Sequence, residues 1–367
     1  MNKNLTLLPS SSLTLLTKPD IIRLLQAEGE EFHQLTETAL EVKHRFAGKQ
    51  VYYRGLIEYS NICGKNCFYC GLRAANHKNR RYVVTDDEVM EAVRFAYQKQ
   101  FGSLVLQSGE NNNRINVHHI ADLVKRIHKE TNHEMGITLS MGEQDETTYR
   151  EWFEAGATRY LLRIETSNEN LYKKIHPNDP NHDFSKRLQA LQTLKRIGYQ
   201  TGTGVMIGLP FQTIEDLADD LIFMSHLDID MCGMGPYIEH PDTPLWQYRD
   251  LLLPKQERFN LSLKMIAILR IMMKDINIAS TTAMQTLDPH GREKGIRAGA
   301  NVVMPNLTPT KYRENYLIYE NKPGVNSDAC ETLAELERNI RDAGEEVAYG
   351  KQGTSKHFLN RELWNDR

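Results

Sequence analysis

The sequence predicts an α/β fold, a (βα)8 TIM-type barrel with N-terminal helices and a C-terminal cap. Three observations predict it. Strand-like and helix-like stretches alternate with a period of about 30 residues. Eight such strands can be counted between residues 51 and 304, and polar residues of ligand type gather where those strands end. A partial barrel of six strands is the alternative topology.

Residues 1–17 read as a flexible segment, because two short apolar runs are broken by Pro9 and three serines. That interruption argues against a signal peptide, and nothing further on approaches a membrane span. Residues 18–50 form N-terminal helices: Pro19 and Asp20 are start signals, and Ile21, Leu24, Leu25, Phe32, Leu35, Ala39 and Val42 follow helical spacing. The barrel occupies 51–304. Val51 to Tyr59 alternates as a first strand and delivers the chain into a cysteine-rich loop. After a Thr85-x-x-Glu88 capping box come a helix to about 100, strand 103–107, helix 117–131 and strand 136–140. Helix 145–155, strand 159–164, helix 184–197, strand 201–207, helix 213–226 and strand 230–234 continue the rhythm. Helix 255–274, strand 277–281, helix 291–298 and strand 301–304 complete it. Residues 305–367 form the cap, with one helix near 328–342 and a last 20 residues too polar to assign.

The net charge of −3 provides no basic excess for a nucleic-acid partner. Three of the five cysteines, Cys63, Cys67 and Cys70, lie within eight residues, leaving Cys232 and Cys330 too far apart in sequence to suggest a disulfide framework. Both properties fit a soluble protein of the reducing cytoplasm. Three thiolates spaced C-x-x-x-C-x-x-C can close around one 4Fe-4S cube and leave its fourth iron without a protein ligand. Zinc is the other reading, but a structural zinc site is normally closed by four ligands, and His77 is the nearest candidate for a fourth.

Strand two ends Gln107-Ser108-Gly109-Glu110, strand three Ser140-Met141-Gly142-Glu143, strand four Arg163-Ile164-Glu165-Thr166, and strand seven Thr281-Thr282. Solvated loop polars would look the same one at a time; their grouping at one barrel mouth points to a site. Arg163 and Glu165 are the sharpest pair. Alternation along the strand would turn both to one side, where ion-paired burial or ligand capture accounts for them. The glycines of Thr201-Gly202-Thr203-Gly204 suit close backbone approach or tight strand packing. His118, His119, His128 and His133 read as a solvated helix face and the turn after it, and most of the thirteen methionines as core filler.

The cysteine motif, with Tyr69 before its last cysteine and inside a (βα) repeat, resembles the radical S-adenosylmethionine (radical SAM) superfamily. Within it, segments from about 20 to 320 resemble the HydE family of FeFe-hydrogenase maturases. These include Ile57-Glu58-Tyr59-Ser60-Asn61, Leu104 to Glu110, Arg159 to Arg163, Met206 to Pro210, His240-Pro241-Asp242-Thr243-Pro244, Thr281 to Met284, and Gly299 to Asn306. The resemblance implies an enzyme that reductively cleaves SAM to a 5′-deoxyadenosyl radical and acts in assembling the di-iron subcluster of the hydrogenase. It implies one 4Fe-4S cluster on Cys63, Cys67 and Cys70. Tyr69, Ser108, Gly109, Glu110, Ser140, Glu165 and Arg187 would hold SAM, and Gln107, Arg163, Thr281 and Thr282 would face the substrate. Implied partners are a small iron-containing substrate from a HydG-like maturase, a HydF-like scaffold, and an electron donor such as ferredoxin or flavodoxin. Many family members carry further C-terminal cysteines for a second cluster; here only Cys330 stands in that region. Methylornithine synthase and biotin synthase share the cluster loop, so a small amino-acid-like substrate is the alternative, and a non-catalytic iron-sulfur carrier a second.

Overall fold

The structure, a computed structural model, describes residues 16–325 and 329–365. The expected flexible segment 1–17 lies almost wholly outside them, as does the side chain of Cys330.

Eleven strands are assigned among the described residues: β1 (Gln50–Ser60), β2 (Ser103–Ser108), β3 (Gly136–Ser140), β4 (Arg159–Leu161), β5 (Gln200–Thr203), β6 (Met206–Ile207), β7 (Met231–Cys232), β8 (Gly235–Pro236), β9 (Asn277–Ile278), β10 (Val302–Val303) and β11 (Glu346–Val347). The main sheet runs β10-β1-β2-β3-β4-β5-β7-β9, every pairing parallel. A single parallel bridge, Ala279 to Val302, joins its two ends. Eight staves therefore close the sheet on itself. β6 and β8 pair with each other as outward continuations of the β5 and β7 staves.

Strands packed on both faces need unbroken apolar runs, and β1 is buried almost throughout, where alternation was expected. The helices outside show the usual stripe. Their starts are fixed by side-chain caps that end the loops after the strands: Thr85 with Glu88, Asn113, Asp145, Asn168, Asp183, and Thr213 with Asp216. The expected N-terminal helices are Lys18–Leu25 and Gly29–Val42, the second running into a π turn Lys43–Ala47, and Gly29 takes a positive φ between them.

The later strands are shorter than expected. β4 ends at Leu161, and Glu165 adopts φ +69°, so the regular alternation expected along 159–164 does not reach Arg163 and Glu165. Thr281 and Thr282 begin a helix, Thr282–Leu287, instead of ending a strand. Short helices Glu169–Ile175 and Pro244–Leu251 were not expected from the sequence.

The C-terminal region divides. Residues 305–325 run over the strand-end face, with Tyr316 buried there. The helix Ala329–Asp342 follows, and β11 then adds to the start of β1 at the opposite face. Residues 350–355 cover that floor. Arg54 donates to the Gly353 carbonyl, Arg159 to the Gln352 carbonyl and Thr354 hydroxyl, and Asn277 to the Gly353 carbonyl. The polar C-terminal stretch forms a helix, Lys356–Asn365, pinned by His357 between Asp228 and Asp275 at 2.6 and 2.9 Å.

Candidate active site

β1 ends at Ser60, and the cysteine loop follows. Its shape is set by backbone accounting: the Arg81 guanidinium donates to the carbonyls of Asn61, Leu72, Arg73 and Asn76 at 2.6 to 3.1 Å. The Asn61 side chain ties the loop to Tyr82, Arg80 and Asn315. Asn66 N–H donates to His182 Nε2 at 2.9 Å, and His182 Nδ1 faces Asp179, which fixes the ring's neutral tautomer. Gly64 N–H donates to the Glu110 carbonyl, tying the loop to the end of β2.

No disulfide involves Cys63, Cys67 or Cys70. Burial pushes all three thiols up, Cys67 to about 12. The one lysine in the loop, Lys65, is already paired with Glu110 and Glu143, so it is committed to carboxylates and not to the thiolates. Three soft ligands whose thiols stay raised even with Lys65 and Arg187 nearby fit a group that brings its own positive charge, which an iron-sulfur cluster does. His77 is exposed and adds nothing to the three thiols. Gly109 leaves the necessary room: a Cβ there would sit 2.4 Å from the Ile62 carbonyl oxygen and 2.7 Å from Cys63 Cβ.

Charged side chains from several strand ends converge beside this loop. Lys65 Nζ lies 3.2 Å from Glu110 and 3.1 Å from Glu143, and Arg187 Nε lies 2.5 Å from Glu143. Arg187 also donates to the Arg163 carbonyl, and Arg163 pairs with Glu165 at 3.1 Å. Burial outweighs the flanking cations and raises the Glu110 carboxyl. Tyr69 faces His176 edge to face at 5.3 Å, and burial pushes its phenol well up.

A second row lies across the sheet. Glu58, Gln107 and Ser140 are register partners on β1, β2 and β3. Glu58 is ion-paired with Lys322 from the crossing tail, and the buried Tyr316 phenol bonds Gln107. Thr281 Oγ1 is buried without a hydrogen-bond partner, and Gly235 keeps the space beside it open. The structure thus gathers Cys63, Cys67, Cys70, Tyr69, Gly109, Glu110, Arg163, Glu165 and Arg187 around one mouth. Thr282 opens the helix that Thr281 caps, and Ser108 turns its hydroxyl onto the Gly109 carbonyl. The histidine expectation holds for His118 and His119, exposed beside Glu151 and Asp86, and for His133, exposed in the turn after the helix, but His128 tucks against the Gly156 carbonyl and stacks on His133.

Sequence reasoning assigned no role to Lys65, Arg81 or His182, and placed Glu143 only among the strand-end polars. The signal available was a lysine between two of the cysteines and a glutamate closing a strand-end segment.

Residues 57–224 match the family model of the Radical SAM superfamily. Over 290 residues, 78% of this chain and 79% of the relative, the sequence is 47% identical to the FeFe-hydrogenase maturase subunit HydE of Thermotoga maritima. The chain belongs to the HydE family of radical SAM enzymes. As a HydE-family member it uses a 4Fe-4S cluster and SAM, which when bound supply a 5′-deoxyadenosyl radical. The 3-methylornithine synthase of Methanosarcina barkeri is 28% identical over 308 residues, 83% of each chain. A solved methylornithine synthase structure superposes with a TM-score of 0.78 at 26% identity, over 92% of this chain and 95% of that one. The maturase HydG from Carboxydothermus hydrogenoformans shares the fold, with a TM-score of 0.79 at 18% identity over 95% of this chain and 79% of its own. No helix among the described residues is long and apolar enough to cross a membrane.

Proposed function

We propose that this chain acts in FeFe-hydrogenase maturation, cleaving SAM reductively and directing the radical to a small iron-containing substrate delivered by a HydG-like partner. The single observation carrying this reading is the 47% identity to a HydE over 78% of this chain. Cys63, Cys67 and Cys70 hold the cluster. Gly109, Glu110, Glu165 and Arg187 hold SAM beside it, with Tyr69, Ser108 and Ser140 in support. Gln107, Arg163, Thr281 and Thr282 face the substrate. The buried orphan hydroxyl of Thr281 supports that last assignment, because a buried polar group without a partner is expensive unless a ligand completes it. A cytoplasmic setting, a HydF-like acceptor and a ferredoxin or flavodoxin donor complete the reading. As a division of the chain, 18–50 serve as helical entry, 51–304 as catalytic barrel, 305–325 as the cap over the mouth and 329–365 as the cover of the opposite face.

The test is anaerobic: reduced, reconstituted protein with SAM should release 5′-deoxyadenosine and methionine above a Cys70→Ala control, and should restore hydrogenase activity in an extract lacking only HydE. Cleavage without restoration would favour an amino-acid-like substrate of the methylornithine synthase kind, to which the 0.78 TM-score gives some weight. Absence of cleavage would leave the iron-carrier reading.

A further inference from the structure

Four charged side chains from four separate elements form a closed group next to the cysteine loop. Lys65 comes from the loop itself, Glu110 from the end of β2, Glu143 from the end of β3, and Arg187 from the helix Phe184–Ile197. Glu143 is the hub. Its carboxylate lies 3.1 Å from Lys65 and 2.5 Å from Arg187, and its backbone N–H donates to Glu110 Oε2 at 2.7 Å. All four side chains are nearly buried, at 7 to 13% exposure.

Such a group is a poor way to stabilise a fold, since well-packed apolar residues of similar volume often do as well or better. Its geometry also differs from that of a finished structural bridge. Arg187 Nε and Glu143 Oε1 are in ionic contact, yet each is buried without a hydrogen-bond partner. Both therefore retain hydrogen-bonding capacity that no described protein group uses.

We propose that Glu143 is a positioning residue that ties the cysteine loop, through Lys65, to Arg187, so that the charges meeting the amino-acid end of SAM are set in register with the cluster. The proposal rests on the radical SAM reading above. Glu143 acts through the two cations: without its charge, Arg187 loses its carboxylate partner and Lys65 keeps Glu110 and the Asn181 carbonyl.

The experiment uses the reconstituted holoprotein and Glu143→Gln, which keeps the size and the backbone N–H but removes the charge. SAM affinity is measured by calorimetry, iron by assay, and the reduced-cluster EPR spectrum with and without SAM. The expected result is wild-type iron content, a SAM Kd raised about tenfold or more, and a diminished change in the EPR spectrum on adding SAM. Glu143→Asp, which keeps the charge one methylene short, should recover part of the affinity and serves if the glutamine variant does not accumulate. Wild-type affinity and an unchanged EPR response in either variant would overturn the proposal. So would iron loss in step with affinity, which marks a purely structural role. If the wild-type protein itself binds no SAM, the failure belongs to the radical SAM reading and not to Glu143.

Discussion

Arg163 and Glu165 are bound to each other, Nη2 to Oε2 at 3.1 Å, while the same guanidinium donates to the Val205 carbonyl at 2.8 Å. Glu165 holds this contact with a backbone φ of +69°, a conformation that costs a residue with a side chain roughly 1–2 kcal/mol. Strain at a strand end beside the cysteines is expected where a side chain must be aimed. Glu165→Ala should therefore weaken SAM binding by about one to two decades, the loss of a charge-assisted hydrogen bond worth roughly 1.5–3 kcal/mol. Arg163→Ala should cost less than about one decade in SAM affinity yet abolish hydrogenase maturation. Because the two touch, the double variant should be non-additive in calorimetry. An arginine variant as weak toward SAM as the glutamate variant would move Arg163 into the cofactor site.

Iron content separates the cysteines. With one cluster per chain, anaerobic reconstitution should give about four irons, and Cys63→Ser or Cys67→Ser should remove the reduced-cluster EPR signal. Cys232 is buried away from the loop with its thiol on Met224, so Cys232→Ala should retain full iron content. Six to eight irons per chain, on the same reasoning roughly two clusters, would refute the single-cluster assignment.

Gly109→Ala tests the close approach of β2 to the loop. The added methyl would meet the Ile62 carbonyl at 2.4 Å, and backbone cannot yield as a flexible side chain can. Iron incorporation should fall below half of wild type in a colorimetric assay, while far-UV circular dichroism stays unchanged.

The C-terminal helix carries a pH dependence. Hydrogen bonds to Asp275 and then Asp228 outweigh burial and raise the His357 pKa above its ordinary value. A raised histidine stabilises the fold fully below about 6.5, and the contribution is lost as pH rises through the folded value. Asp228 has the opposite sign: despite burial, bonds from His357 and Lys195 hold it at about 2, so its contribution disappears as pH falls toward 2. In His357→Gln, the decline of Tm between pH 6 and pH 9 should be shallower than in wild type, by differential scanning fluorimetry. Equal slopes would show that the histidine is not the titrating latch.

The barrel was legible because its signal is repetitive: strand and helix periods alternate, and caps such as Thr85 and Asp145 stand where loops end. The cysteine spacing and the strand-end polars were legible for the same local reason. What escaped depends on contacts between distant segments. Nothing near Glu143 in sequence announces Lys65 and Arg187, and the positive φ at Glu165 breaks the alternation that an extended strand would have kept. The polar stretch after residue 345 shows no apolar period because its fit comes from hydrogen bonds to the barrel floor, to Arg54, Arg159 and Asn277.

That floor has a bearing on how the chain is made. Its covering residues, 350–355, leave the ribosome after every barrel strand has already emerged, and β11 pairs with β1, the earliest strand. The two interior guanidiniums of Arg54 and Arg159 are therefore sealed from water only once that later segment packs against them. Closure of the barrel floor waits on residues 350–355, and a product lacking them would carry a cysteine loop above an unsealed base.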